Sequence, residues 1–203
     1  MTDLMIATRN PGKWREFGQL LAGLVAQTGA RLLAPGERGT AVEVDEPAST
    51  YAEHASLKAE ALARASGALA LGDDSGLEVA ALGGAPGLYS ARFAGPGASD
   101  ADRRNKLLYD LRRVPAPRPA RFVCAIAVAH PDGGVRLFDG ECRGEIALAE
   151  SGEGGFGYDP VFYVPEYGAT MAALPLGLTN TISHRARAVQ AAMPYLMELF
   201  ETG

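Results

Sequence analysis

The chain has 203 residues, 47 % of them hydrophobic and 21 % charged, and a formal net charge of −5 at pH 7. The length predicts a single domain over residues 1–203, and the composition excludes a wholly disordered chain. The acidic balance argues against a nucleic-acid partner, because such proteins neutralise phosphates with an excess of Lys and Arg. A small anionic ligand bound by a local cluster of basic side chains stays open.

The amino-terminal residues contain no long apolar segment of the kind found in secretory signals. No stretch approaches the roughly 20 apolar residues of a membrane-spanning helix. The two cysteines, Cys124 and Cys142, have no zinc-binding spacing. We therefore expect a cytoplasmic protein with reduced thiols and no membrane partner.

The first half of the chain predicts strands that lead into helices. The apolar run at 4–7 predicts a buried strand, and Asn10 predicts the N-cap of a helix. The segment "TGARLLAP" predicts a second short strand. Thr50 and Glu53 have the spacing of a capping box, so the alanine-rich segment after them predicts a helix that ends at Gly67. The apolar run "GALALGDD" then ends in two aspartates, after which Ser75 and Gly76 are predicted to turn the chain.

The second half predicts a helix in "DADRRNKLLYDLRRV" and then a β-hairpin, because two strand-like segments flank the turn signal "PDGG". The segment "SGEGGFGYDPVFYVPEYG" predicts a glycine-rich loop around an apolar strand. The segment "SHRARAVQAAMPYLMELF" predicts a C-terminal helix that Pro194 kinks or splits. Interleaved helices and strands with a central hairpin favour an α/β fold with a mixed sheet.

The segment "TRNPGK", from Thr8 to Lys13, lies where the first predicted strand leads into the first helix. The amino end of a helix carries unpaired N–H groups and the positive end of the helix dipole, so it favours phosphate. Gly12 permits close approach of a ligand, and Lys13 adds a positive charge. The alternative of a plain helix start stays open, because the GxxxxGK[ST] pattern is absent.

Acidic side chains supply candidate metal ligands in two places. Asp73 and Asp74 follow an apolar run, where an aspartate can bind Mg²⁺ or act as a general base. Glu46 and Asp45, in the polar segment before Thr50, can supply a second metal-binding carboxylate. A turn with an aspartate N-cap is the open alternative for "GDDSG".

Two further segments combine aromatic, glycine and cationic residues. "GGFGYDP" places Phe156 and Tyr158 beside glycines, which is typical of a ring that stacks on a base and equally of a core pair beside a tight turn. "ISHR" places His184 and Arg185 in the first turn of a helix, where cations oppose the helix dipole unless an anionic or electron-rich group is near. Two simply solvated side chains are the alternative. Taken together, the four segments describe a nucleoside triphosphate site.

Five segments, in this order, resemble the inosine triphosphate pyrophosphatase family: "TRNPGK", "DDSGLEV", "LGGAPGLYSARFAG", "GGFGYDPVF" and "ISHR". The resemblance runs nearly from end to end. It implies an α/β fold with an elongated mixed central β-sheet, flanked by helices in two lobes with an active-site cleft between them. It also implies a homodimer that uses Mg²⁺ to hydrolyse noncanonical purine nucleoside triphosphates (ITP, dITP and XTP) to the monophosphate and pyrophosphate.

The resemblance assigns roles to residues of this chain. It implies that Asp74 is the catalytic aspartate and that Glu46 and Asp74 bind the metal. The substrate-binding residues that it implies are Thr8, Arg9, Asn10, Pro11, Gly12, Lys13, Ser75, Phe156, Gly157, Tyr158, Asp159, Thr179, His184 and Arg185.

Three positions depart from the family pattern. Arg9 stands where a small residue is common, and His54 replaces the Asn of "ENA". Thr179 occupies the position of a substrate-binding lysine, five residues before His184. The loss of that lysine leaves open a nucleotide-binding homologue with altered base specificity or without turnover. A Maf-type pyrophosphatase, acting on pyrimidine or modified nucleotides, is a further alternative that "GGFGYDP" and "SHR" disfavour.

Overall fold

The computed structural model describes residues 3–37 and 48–201. Hydrogen bonding orders the strands of these residues β2-β1-β3-β5-β6-β7-β8 in one sheet, and β4 pairs with β3. The strands are β1 (Asp3–Ile6), β2 (Arg31–Leu33), β3 (Leu69–Val79), β4 (Pro86–Gly87), β5 (Pro119–Ala129), β6 (Val135–Ile146), β7 (Phe162–Val164) and β8 (Ala169–Thr170). The α-helices are α1 (Pro11–Leu20), α2 (Ala22–Thr28), α3 (Tyr51–Ser66), α4 (Asp100–Asp110), α5 (Leu176–Ile182) and α6 (His184–Glu201).

The sheet is mixed, which confirms the predicted α/β class. β1 pairs in parallel with both β2 and β3, whereas β4, β7 and β8 make antiparallel pairs. The predicted hairpin is confirmed, because β5 and β6 are joined by a turn in which the His130 N–H donates to the Gly134 carbonyl at 3.0 Å. No helix in the described ranges is long and apolar enough to cross a bilayer.

Local sequence signals set the predicted helix ends. The side chain of Asn10 accepts hydrogen bonds at the start of α1, as an N-cap residue does. Thr50 and Glu53 form the predicted capping box of α3, and Gly67 ends that helix in the left-handed conformation at φ 65°.

Two local predictions are wrong. "GDDSG" is not a turn, because β3 continues through it and pairs with β1 before it and with β4 after it. Of the two outcomes predicted at Pro194, the split is wrong, because the C-terminal helix runs unbroken over α6, and the kink stays a prediction. Val189 and Leu196, on either side of Pro194, are both buried in the core, and this packing outweighs the missing N–H of the proline.

Contacts divide the chain into two compact units. The first unit comprises Met1–Asp74, Cys124–Gly140 and Arg185–Gly203, and the second comprises Ser75–Val123 and Glu141–His184. The long strands β3, β5 and β6 each contribute residues to both units. The single domain over residues 1–203 stays a prediction.

In the first unit, the sheet has a core on each of its two faces. Leu4, Ile6 and Leu71 pack against apolar residues of α1 and α6. Met5 and Ala70 point to the opposite face, against α3, because successive side chains of a strand alternate. This second face consists mostly of small residues, which are Ala55, Ala59 and Ala63 on α3 and Ala70, Ala125, Ala127 and Ala129 on the strands.

Gly72 lies where α3 and β3 approach most closely. A Cβ atom built at Gly72 would clash with the carbonyl oxygen of Ala55 and would lie 2.8 Å from the backbone nitrogen of Ala59. Only glycine fits this contact without displacement. The close approach brings the side chains of α3 within reach of the residues that follow Gly72 in β3.

The second unit has a separate apolar core. It contains buried residues from β3, α4, β5, β6 and β7, among them Leu77, Leu107, Phe122, Ile146 and Phe162. The rings of Phe122 and Phe162 are 4.4 Å apart between centroids.

Gly72→Ala should lower the free energy of unfolding by about 1–3 kcal/mol, because the added methyl group pushes α3 away from β3. Gly18→Ala is a matched control in α1, where a Cβ meets no atom within 4 Å. That change should leave stability unchanged or raise it by up to about 1 kcal/mol. Urea unfolding measures both, and an unchanged Gly72→Ala variant would contradict the close packing.

Candidate active site

The two adjacent aspartates of β3 point to opposite faces of the sheet. Asp73 contacts Lys13 of α1 and Arg185 of α6, on the face of the first unit's sheet that packs against these two helices. Asp74 contacts His54 and Lys58, both on α3. The alternation of side chains along a strand therefore gives neighbouring acids different environments.

Asp73 lies in a buried ion-pair cluster. Its Oδ2 accepts from Lys13 Nζ at 2.7 Å and from Arg185 Nε at 3.4 Å. The side chain of Arg185 is 2 % exposed and also pairs with Glu16 of α1. Two cations and two carboxylates thus balance within the cluster, as buried charges require.

The pKa of Asp73 reflects two opposing effects. Burial alone would raise it, but the positive charges of Lys13, Arg185 and Lys58 outweigh burial and lower the pKa from 3.8 to about 2. Burial alone would lower the pKa of Arg185, but the negative charges of Glu16 and Asp73 outweigh burial and raise that pKa above its ordinary value. Both groups are therefore ionised at neutral pH.

Asp74 is more accessible, with 17 % of its side chain exposed. Lys58 Nζ donates to Asp74 Oδ1 at 2.9 Å and to the backbone carbonyl of Asp73 at 3.1 Å. His54 Nδ1 lies 3.1 Å from Asp74 Oδ2. The predicted catalytic residue is thus a half-buried carboxylate whose two oxygens each have one partner on α3.

Lys58 is a site residue that the sequence analysis missed. It stands four residues after His54, so both side chains project from the same face of α3. The four-residue spacing of His54 and Lys58 in "EHASLK" is the signal that could have identified it.

The predicted phosphate segment forms the link between β1 and α1, with Pro11 as the first helical residue. Asn10 Oδ1 accepts from the N–H groups of Gly12 at 2.8 Å and Lys13 at 3.2 Å, while the Asn10 N–H donates to Thr8 Oγ1 at 3.2 Å. These amides already have acceptors within the segment. Side-chain charge, from Lys13 and the exposed Arg9, is therefore what this segment offers directly to a phosphate.

The predicted metal ligands are only partly described. Glu46 lies outside the described residues. Within residues 3–37 and 48–201, no three His, Cys, Asp or Glu side chains cluster in a way that would hold a metal ion. Asp74 by itself supplies carboxylate oxygens of the kind that Mg²⁺ prefers, and Mg²⁺ is often held by one or two carboxylates together with substrate phosphates.

The predicted base-binding loop lies in the second unit and is fixed by hydrogen bonds. Gly157 donates its N–H to Asp100 Oδ2 at 2.8 Å and accepts from Arg104 Nη1 at 2.9 Å. The Asp159 carboxylate accepts from the Phe156 N–H at 2.9 Å. Residues 100 and 104, one turn apart on α4, therefore hold both polar groups of Gly157.

The two aromatic residues of this loop differ in burial. Tyr158 is 5 % exposed, and its hydroxyl donates to the Ser90 carbonyl at 2.8 Å. Phe156 is half-buried. Tyr158 thus belongs to the core of the unit, and Phe156 is the more accessible of the two rings.

Three more predicted substrate residues have described surroundings. His184 is buried and stacks on Phe122, with ring centroids 4.7 Å apart. Ser75 is half-buried in β3. Thr179 is half-buried in α5 and donates to the Leu176 carbonyl at 3.0 Å. The substrate contacts of these residues and of Arg185 stay predictions.

The low pKa of Asp73 predicts acid sensitivity. Folded Asp73 stays ionised down to about pH 2, whereas in the unfolded chain it binds its proton near 3.8. Its stabilising contribution is complete at neutral pH and is lost as the pH falls through this range. The free energy of unfolding should therefore fall by about 2 kcal/mol from this group between about pH 4 and about pH 2.

Asp73→Asn should lack this component, and Asp132→Asn, an exposed aspartate of the β5–β6 turn, should retain it. Denaturant unfolding at a series of pH values measures the difference. The same acid dependence in Asp73→Asn and in the unsubstituted protein would contradict the assignment.

Known proteins match nearly the whole length of this chain. The sequence pattern of the Ham1 family matches residues 4–195. A Desulforamulus reducens protein named dITP/XTP pyrophosphatase is 48 % identical over 198 residues, which cover 97 % of this chain and 96 % of that protein. A Geobacillus kaustophilus protein of the same name is 50 % identical over 190 residues, covering 93 % and 91 %.

Solved structures agree with the sequence comparison. A HAM1 protein from Coxiella burnetii has a TM-score of 0.86 at 37 % identity, covering 98 % of this chain and 100 % of that chain. The Staphylococcus aureus Ham1 protein has a TM-score of 0.84 at 39 % identity, with the same coverage. The predicted resemblance is thereby confirmed, and the chain belongs to the Ham1 family.

Proposed function

We propose that this protein hydrolyses noncanonical purine nucleoside triphosphates, namely ITP, dITP and XTP, to the nucleoside monophosphate and pyrophosphate. The observation that carries the proposal is the 48–50 % identity, over nearly the whole chain, to proteins named dITP/XTP pyrophosphatase. The accessible carboxylate of Asp74 beside Lys58 supports it, because hydrolysis needs a group that orients water. No finding supports a binder without turnover.

Asp74 is the proposed general base. Its carboxylate would orient a water molecule and accept its proton as the water oxygen bonds to the α-phosphorus. The bond from the α-phosphorus to the bridging oxygen breaks, and pyrophosphate leaves with that oxygen. Lys58 would keep Asp74 in position throughout this step.

Lys13 is the proposed phosphate-binding cation. It is paired with Asp73, and 17 % of its side chain is exposed. A triphosphate carries more negative charge than one carboxylate, so it would compete for this lysine. Arg9 would add charge from the same segment, and positioning and charge stabilisation would supply most of the catalysis.

Mg²⁺ dependence is part of the proposal. Asp74 would hold the ion together with the predicted ligand Glu46 and oxygens of the substrate. The bound ion would neutralise phosphate charge.

The loop of Phe156 and Gly157 would contact the base. Hypoxanthine and xanthine both carry a 6-oxo group, whereas adenine carries an amino donor there. Backbone N–H groups or Arg185 would favour the oxo group, and a missing acceptor or a steric wall would exclude the 2-amino group of guanine. For Arg185 to contact a base, its ion pairs with Glu16 and Asp73 would have to open.

A cytoplasmic homodimer completes the proposal. The family resemblance supports the dimer. Light scattering on the purified protein would measure the oligomeric state.

Pyrophosphate release with Mg²⁺ tests the activity. ITP, dITP and XTP should exceed ATP, GTP and dTTP in kcat/KM by roughly two orders of magnitude or more, because polar groups of the site pair only with the correct base. Equal hydrolysis of all six would contradict the specificity. Binding of ITP without release from any nucleotide would contradict the activity.

Two variants accompany this assay. Asp74→Asn should lower kcat by roughly two orders of magnitude or more without a large change in melting temperature. Asp132→Asn, the same chemical change in the exposed β5–β6 turn, should leave kcat unchanged.

Thr179→Lys tests the departure from the family pattern. The added charge should lower KM for XTP by roughly two- to fivefold, the size of an exposed ion pair. Thr179→Met is the matched control, because it adds length without charge and should leave KM unchanged. An equal effect of both variants, or none from Thr179→Lys, would show that position 179 does not contact the triphosphate.

A further inference from the structure

We propose that His54 is a positioning residue that fixes the carboxylate of Asp74 by donating its Nδ1–H to Oδ2. The inference rests on the proposed function, in which Asp74 orients the attacking water. It concerns a position at which this chain departs from the family pattern, with His in place of Asn. The observation that carries it is the 3.1 Å contact between His54 Nδ1 and Asp74 Oδ2.

The chemistry of this contact determines which ring nitrogen of His54 carries the proton. An ionised carboxylate has no proton and only accepts hydrogen bonds, so the ring nitrogen that faces it must be the donor. The proton therefore lies on Nδ1, and Nε2 faces away from Asp74. This arrangement needs no positive charge on the imidazole.

Two donors hold Asp74 from one helix. His54 binds Oδ2, and Lys58, one turn later in α3, binds Oδ1 at 2.9 Å. A carboxylate held at one oxygen can still rotate about its Cβ–Cγ bond, whereas two donors fix its plane. His54 thus supplies the second of the two restraints that orientation requires.

The contact leaves Asp74 able to act. A carboxylate has roughly four lone-pair positions, and one donor at each oxygen uses two of them. Side chains at this contact are 21 % exposed for His54 and 17 % for Asp74, so water reaches the pair. Asp74 can therefore accept a hydrogen bond from a water molecule while both donors stay in place.

Close helix packing makes the contact possible. The imidazole is short, so it reaches Asp74 only because α3 lies against the backbone of β3 at Gly72. Asp74 comes two residues after Gly72 and points to the same face. The small-residue interface and the hydrogen bond are thus parts of one arrangement.

Three substitutions separate positioning from mere filling of space. His54→Asn keeps an N–H donor the same number of bonds from Cα as Nδ1. His54→Gln moves that donor one bond further, and His54→Leu removes it. If His54 only fills space, loss of activity should follow side-chain size and melting temperature and not the place of the donor.

The expected result is a split between kcat and KM for XTP hydrolysis. His54→Asn should keep kcat within about twofold, whereas His54→Gln and His54→Leu should lower kcat by about tenfold or more with KM within about twofold. Equal kcat values for all three variants, with melting temperatures unchanged, would overturn the proposal.

Nuclear magnetic resonance of the imidazole nitrogens gives a readout that does not depend on activity. At alkaline pH, His54 in the full-length protein should carry its proton on Nδ1, with its signal assigned by its disappearance in His54→Asn. A proton on Nε2 would overturn the proposal. Failure of the proposed function would instead appear as an unsubstituted protein that hydrolyses no nucleotide while His54 retains the Nδ1 proton.

Discussion

The close contact of α3 with β3 at Gly72 is the constraint on which the candidate site depends. Small residues on both elements let the helix backbone approach the strand, and a Cβ at Gly72 would clash with the carbonyl of Ala55. The helix therefore presents His54 and Lys58 directly to Asp74. A larger residue at this interface would move both donors away from the carboxylate together.

Side chains alternate between the two faces along a β-strand, so the adjacent acids Asp73 and Asp74 have different surroundings and different roles. Asp73 points into the buried cluster of Lys13, Arg185 and Glu16, where it is ionised and inaccessible. Asp74 points to α3 and remains in reach of water. The first acid ties β3 to α1 and α6, and the second is left for chemistry. Because Asp73 and Asp74 are adjacent in β3, the residue that stabilises the fold lies next to the residue proposed to take part in catalysis.

Much of the fold was predictable because its signals are local. The N-cap at Asn10, the capping box of Thr50 and Glu53, and the hairpin turn before Gly134 each depend on residues within a few positions of one another. "GDDSG" was mistaken for a turn because pairing with β1 and β4, which keeps the chain extended there, is not local.

The segments that form the candidate site were predictable from the sequence, but the contacts between their side chains were not. The acids, the lysine of the phosphate segment and the glycine-rich loop stand out by residue type. That Arg185 reaches Asp73 across 112 positions, or that Lys58 binds Asp74, depends on which faces of α6 and α3 meet the sheet. The phosphate segment shows a further limit of prediction from sequence. Its helix N–H groups at Gly12 and Lys13 were expected to bind phosphate, but they already donate to the side chain of Asn10.

Hydrolysis of XTP in water enriched in ¹⁸O tests the central claim most directly, because it locates the atom that water attacks. The label should enter the nucleoside monophosphate and pyrophosphate should stay unlabelled, since Asp74 is proposed to direct water to the α-phosphorus. Label in pyrophosphate or in inorganic phosphate would show attack at another phosphorus atom and would contradict the account.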